Sequence, residues 1–168
     1  MNLVYYFHTL RHLRPVQIYG RLWHRVNPAG PDLGPAPALR LPAGRWISVA
    51  TRPAAMPSDE TFRFLNHIGH VHAAEDWNNP AQEKLWLYNL HYFDDLNAEG
   101  APNRVSWHQV LLARWVAENP PGAGNGWEPY PTSLRMVNWI KWPLAGNDLE
   151  PRCVHSLAVQ ARWLRRRI

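Results

Sequence analysis

The chain has 168 residues, 46% of them apolar, which fits one packed domain and excludes wholesale disorder. Sixteen prolines and ten tryptophans fit poorly with a long coiled coil, and the single cysteine, Cys153, excludes an internal disulfide framework or a Cys-pair zinc site. The net charge of +5 divides into basic ends and an acidic centre, with +6 over residues 1–52, −6 over 53–151 and +5 over 152–168.

Such ends attract nucleic acid, anionic lipid or acidic polysaccharide alike. The acidic centre and the lack of a recognised binding motif count against nucleic acid. No run approaches the roughly 18 apolar residues of a membrane span. The start of the chain lacks the basic residue and small-residue cleavage site of a secretory signal, so the default compartment is cytoplasmic.

Residues 1–57 read as two helices followed by a proline-rich wrapping segment. Leu3 to Arg14 has helical spacing, and Pro15 suits the first turn of a helix running to about Val26. Arg11, Arg14, Arg21 and Arg25 make this part basic, as a solvated face or as a docking face for an anionic surface. Seven prolines and three glycines between Asn27 and Pro57 predict irregular chain, with a short strand over Arg45 to Thr51. Residues 58–168 read as a mainly helical domain that opens with a β-hairpin at about 61–72. Phe62 and Phe64 alternate in its first strand, Asn66-His67 turns, and the chain returns near Gly69 to His72.

Asn79-Pro80-Ala81-Gln82 predicts a helix start, and the helix through Leu85 to Phe93 is apolar on nearly every face. Burying it places Asn89 and His91 where their polar atoms need partners. Ser106 with Gln109 forms the pattern of a capping box, ahead of a stripe of Trp107, Val110, Leu111 and Trp115. Residues 119–127 read as a flexible loop. Beyond it a helix capped by Thr132 or Ser133 should bury Leu134, Val137 and Ile140, with Pro143 ending or kinking it. The last helix, from about Pro151, should bury Val154, Leu157, Ala158, Ala161 and Leu164. It has no glycine stop and is still in phase at Ile168, the pattern expected of a truncated domain.

The titratable residues offer little specific chemistry. His67, His70 and His72, with Asp76, invite a metal reading, but their spacing fits a polar hairpin edge better. Asp94 and Asp95 are adjacent and should point apart. No glycine-rich phosphate loop follows a strand, and nothing calls for a cofactor.

The informative constellation mixes rings with polar groups. Trp86, Tyr88, Asn89, His91 and Tyr92 share one helix; Trp127, Glu128, Tyr130, Arg135, Asn138, Trp139 and Trp142 share a loop and the helix it opens. Flat rings stack on sugar faces while fixed amides, carboxylates and guanidinium groups take hydroxyls and carboxylates. The alternative is that most of these rings are core between packed helices.

The runs Lys84-Leu-Trp-Leu-Tyr-Asn-Leu-His-Tyr-Phe-Asp-Asp-Leu96 and Asn125-Gly-Trp-Glu-Pro-Tyr-Pro-Thr-Ser-Leu-Arg-Met-Val-Asn-Trp-Ile-Lys-Trp142 resemble the amino-terminal domain of heparinase II/III-type polysaccharide lyases. The resemblance covers roughly Asp76 to Arg165. It implies a mainly α chain forming part of an (α/α) toroid of helical hairpins. In complete members the toroid is followed by a β-sandwich domain.

It also implies β-elimination on a uronic-acid-containing, acidic polysaccharide. An amide or cation neutralises the uronate carboxylate there, a Tyr or His base takes the carbon-5 proton, and a Tyr or His acid protonates the leaving oxygen. The family's proton-transfer segments follow the last helix seen here, so the resemblance assigns no catalytic residue to this chain. It offers Asn89, His91, Tyr92, Trp127, Glu128, Tyr130, Arg135, Asn138 and Trp139 as cleft candidates. A full toroid needs about ten or more helices, and this length holds about six of average size. The expected protein is therefore a lyase fragment inactive alone, completed by the rest of the toroid and the sandwich. The alternative is a non-catalytic carbohydrate-binding or scaffold module of bacterial surface-polysaccharide metabolism.

Overall fold

The structure is a computed structural model and describes residues 15–16, 19–20, 30–40, 44, 46–47 and 51–167. The helix expected over 3–14, and most of those expected over 15–26 and of the strand over 45–51, lie outside them. Pro15, Val16, Tyr19 and Gly20 are helical, whereas Trp46, Ile47 and Thr51 are not in a strand. Pro31 to Arg166 form one compact unit, mainly helical with a small two-stranded antiparallel sheet. Among the described residues no helix is long and apolar enough to cross a membrane.

The hairpin pairs β1 (Thr61–Phe64) with β2 (His67–His70), Phe62 facing Gly69. The turn falls on Leu65-Asn66, one residue earlier than the sequence indicates. Both residues take positive φ, 54° and 61°, as a two-residue hairpin requires to match strand twist. Gly69 is there for space. A β-carbon on it would lie 2.3 Å from the Trp86 ring, which sends its indole N–H to the His67 carbonyl.

Four helices follow: α1 (Lys84–Tyr92), α2 (Val105–Glu118), α3 (Pro129–Leu144) and α4 (Pro151–Arg165). Helix α3 packs on α1 and α4, and α2 packs on α4. Proline occupies the first turn of both α3 and α4, where its missing N–H costs nothing. Pro143 sits in the last turn of α3, which ends one residue later at Leu144.

Three expected caps are not made. Thr132 and Ser133 lie inside α3, whose N-cap is Glu128. Asn79 accepts the Ala81 N–H in a local turn, and α1 begins only at Lys84. Ser106 lies inside the first turn of α2, which starts after Arg104. The 119–127 segment is also more constrained than its composition implies. Asn125–Trp127 forms a 3-10 turn with Trp127 buried, and the Asn125 N–H donates to the Asn78 side chain at 2.7 Å.

The core is built on tryptophan. Seven are buried among the described residues: Trp77, Trp86, Trp115, Trp127, Trp139, Trp142 and Trp163. Buried indoles need a partner for the ring N–H. Trp77 donates to Glu118, Trp115 to His91, Trp127 to the Asn119 carbonyl, Trp142 to the Asp148 carbonyl and Trp163 to the Trp127 carbonyl. The Trp139 indole N–H has no partner among the described residues.

These bulky rings decide which faces of the helices turn inward. Helix α3 buries Thr132, Arg135, Asn138, Trp139 and Trp142, while Val137 and Ile140, expected in the core, are about half exposed. Helix α4 likewise buries Cys153, Ser156, Val159, Gln160 and Trp163 rather than its aliphatic stripe. In α2, His108 is buried and Val110 faces outward.

Candidate functional site

The nine cleft candidates do not converge on one cleft. His91, Trp127, Arg135 and Trp139 belong to the core, at most 3% exposed, so they present no surface to a ligand in this chain. His91 uses both ring nitrogens. Its Nε2 donates to the Trp77 carbonyl at 3.0 Å and its Nδ1 accepts the Trp115 indole N–H at 3.0 Å. Burial, with the Arg135 charge beside it, pulls its pKa down to about 3, so the ring is neutral at ordinary pH.

Arg135 is completely buried, without a carboxylate partner among the described residues. Its guanidinium lies 3.9 Å over the Trp115 ring and donates to the Gly126 carbonyl at 2.8 Å and to Gln160 Oε1 at 3.0 Å. Delocalised charge, a π face and carbonyl acceptors make this burial tolerable for Arg in a way Lys could not match. Asn89 is half-buried and turns back to donate to the Leu85 carbonyl.

The remaining candidates fall in two neighbouring groups, with Tyr130 exposed, Glu128 half-buried, and Tyr92 and Asn138 buried beneath the surface. Glu128, Tyr130 and Tyr92 meet Tyr88 and Lys84 where α1 meets the start of α3. The Tyr88 hydroxyl donates to Glu128, whose other oxygen lies 2.9 Å from Lys84 Nζ. Burial raises the Tyr88 pKa, and the Glu128 bond adds to it. Burial and then the Tyr130 neighbour push Tyr92 up to about 12. Both phenols are therefore protonated at neutral pH. A phenolic general base needs the opposite shift.

Asn138 belongs to the second group, a groove of about 710 Å³ walled by α3, by residues 94–105 and by Trp46, Thr51 and Arg52. Asn138 Nδ2 donates to the Tyr92 carbonyl at 2.9 Å and to Asp94 Oδ1 at 2.7 Å, while its Oδ1 accepts from Asn97 at 3.2 Å. Arg52 pairs with Asp94 at 2.7 Å, and the Arg52 side chain is 77% exposed. Lys141 lines the same groove and forms no ion pair among the described residues. Leu134 and Val137 give the wall apolar patches, and Trp46 contributes a ring 37% exposed. The titratable lining balances Arg52 and Lys141 against Asp94 and Glu99, so the groove is not acidic although the central sequence is.

Sequence reasoning placed only Asn138 of this set. Trp46, Arg52, Asn97 and Lys141 come from three separated segments, and no local pattern links them. Beneath the groove, Asp95 ties the wall together. It accepts the backbone N–H groups of Ala55 and Met56, Arg104 Nε at 2.9 Å and His108 Nε2 at 2.7 Å. Burial alone would raise its pKa, but His108, the Ala55 amide and Arg104 outweigh that and hold it below the usual carboxylate value. Asp94 and Asp95 thus point apart, as their adjacency implies.

The hairpin histidines pair locally, His70 with Thr61 and His72 with Glu60. Among the described residues no three His, Cys, Asp or Glu side chains are grouped to hold a metal. Cys153 is buried, and burial pushes its thiol up to about 11, which makes it a poor nucleophile. No family model, curated protein or solved structure matches the chain.

Proposed function

We propose that this chain grips acidic polysaccharide as part of a heparinase II/III-type lyase, within a partial (α/α) toroid whose proton-transfer residues it does not carry. The observation that carries the reading is the groove along α3. In it, an ammonium group without an ion partner among the described residues, an exposed guanidinium and an immobilised amide pair stand beside an indole ring.

That combination suits a uronate. Lys141 and the outer N–H groups of Arg52 face a carboxylate, the Asn97 amide takes hydroxyls, and Trp46 offers a flat face to the ring C–H groups. In β-elimination the same contacts would neutralise the carboxylate and so acidify the carbon-5 proton. The sequence runs quoted above add the family resemblance. A second reading, a non-catalytic carbohydrate-binding module, draws support from the buried neutral His91 and the protonated Tyr88 and Tyr92. It uses the same groove.

Titration calorimetry with an oligogalacturonate, against the corresponding oligosaccharide with reduced carboxyl groups, tests the shared core of both readings. The acidic sugar should bind more tightly. Lys141→Ala should weaken it by about tenfold, the equivalent of about 1.4 kcal/mol. No unsaturated uronate should appear in the ultraviolet during incubation. Equal binding of the two sugars, or an unaffected Lys141→Ala variant, would remove the groove as a uronate site. Turnover would show that proton-transfer groups are present here after all.

A further inference from the structure

We infer that the tyrosine cluster at the start of α3 is a second sugar subsite, in line with the groove, so that the chain binds an extended polysaccharide segment rather than one terminal sugar. This rests on the groove's being a carbohydrate site. The helix supplies the alignment. Tyr130, Leu134, Asn138 and Lys141 follow one another at spacings of four, four and three on α3, which places them along one face. The last three line the groove. At 1.5 Å per residue the row from Tyr130 to Lys141 is about 16 Å long, room for several linked sugar rings.

The cluster is fixed before any ligand arrives. The Tyr130 ring is 59% exposed and meets Tyr92 edge-on at 5.8 Å and Tyr88 at 6.4 Å. Glu128 accepts from the Tyr88 hydroxyl and pairs with Lys84, whose ammonium also lies 5.3 Å over the Tyr88 ring. Asn138 joins the two sites physically, since its Nδ2 donates both to the Tyr92 carbonyl and to Asp94 in the groove. Rings held by satisfied polar groups lose little entropy on binding, which is what a stacking platform requires. A lone exposed tyrosine would mean nothing. This one stands on a rigid base, on the face that leads into the groove.

Chain-length dependence reads this out. Calorimetry with a digalacturonate and a hexagalacturonate should give about tenfold tighter binding of the longer sugar by the unaltered protein, about 1.4 kcal/mol. Tyr130→Ala should collapse that ratio toward one, whereas Tyr130→Trp should keep it, because the ring face is what matters. Tyr130 is exposed, so the variants should fold, and circular dichroism checks it.

A ratio unaltered by Tyr130→Ala, while Lys141→Ala still weakens both sugars, would overturn the second subsite and leave the groove standing. Failure of both sugars to bind the unaltered protein would overturn the groove with it. A change in sedimentation caused by Tyr130→Ala, with no change in the ratio, would show that the rings contact a second copy of the chain instead.

Discussion

His91 makes two hydrogen bonds that only one neutral tautomer can make, with the proton on Nε2 for the Trp77 carbonyl and a lone pair on Nδ1 for the Trp115 indole. Gly126 lies against the same ring, and a β-carbon there would come within 2.7 Å of Nδ1. The imidazole is thus a cornerstone of the core. Its folded pKa of about 3 lies below the ordinary value of 6.5, so the unfolded chain takes the proton first as the pH falls. Stability from this group is complete above about pH 6.5 and declines toward pH 3, by about 1.4 kcal/mol per pH unit. Urea unfolding should therefore show a loss of about 2 kcal/mol between about pH 7 and pH 5 from His91 alone. His91→Gln should be less stable at neutral pH, yet its stability should change with pH by correspondingly less. An equal pH dependence in both proteins would mean that the ring reaches solvent.

At the scale of elements, α3 shows where sequence reading succeeds and where it fails. Its existence is legible from the apolar periodicity of Leu134, Val137 and Ile140, although the sequence starts it at Thr132 or Ser133 and the structure at Pro129. Its inward face is not. Periodicity counts Leu134, Val137 and Ile140 as core. The structure turns Val137 and Ile140 outward, leaves Leu134 half-buried and buries Arg135 and Asn138, because Trp139 and Trp142 fix the rotation. Arg135 then finds the Trp115 face and the Gly126 and Gln160 oxygens, while Asn138 finds the Tyr92 carbonyl and Asp94.

The hairpin was legible within one residue because alternation and a two-residue turn are local signals. The groove was illegible, since only tertiary packing brings Trp46 and Arg52 beside Lys141. The rotation of α3 makes a sharp prediction. Ile140→Lys should change the unfolding free energy by less than about 0.5 kcal/mol, the behaviour of a surface site. A true core isoleucine would cost about 2–5 kcal/mol on truncation and more on charging. A large loss on chemical denaturation would put the aliphatic stripe back inside.

For the unit spanning Pro31 to Arg166, the proline-rich segment is held by hydrogen bonds to its own backbone. Arg162 on α4 donates to the carbonyls of Gly34 at 2.7 Å and Pro35 at 2.5 Å, and Arg166 reaches Asp32 at 3.3 Å. Prolines cannot donate to a sheet or continue a helix, so their carbonyls must be satisfied from outside the segment, and a guanidinium fork serves several at once. Residues 52–56 are held in the same manner from the opposite direction. The Arg52 carbonyl accepts from Glu99, and Asp95 takes the Ala55 and Met56 amides. Each attachment is local, so losing one should loosen the segment without melting the helices. Arg162→Ala should speed tryptic cleavage after Arg40, followed by mass spectrometry, while shifting global unfolding by less than about 1 kcal/mol. An unchanged cleavage rate would show that the prolines hold the segment in place by their own stiffness, and that the arginine contacts follow from its path rather than set it.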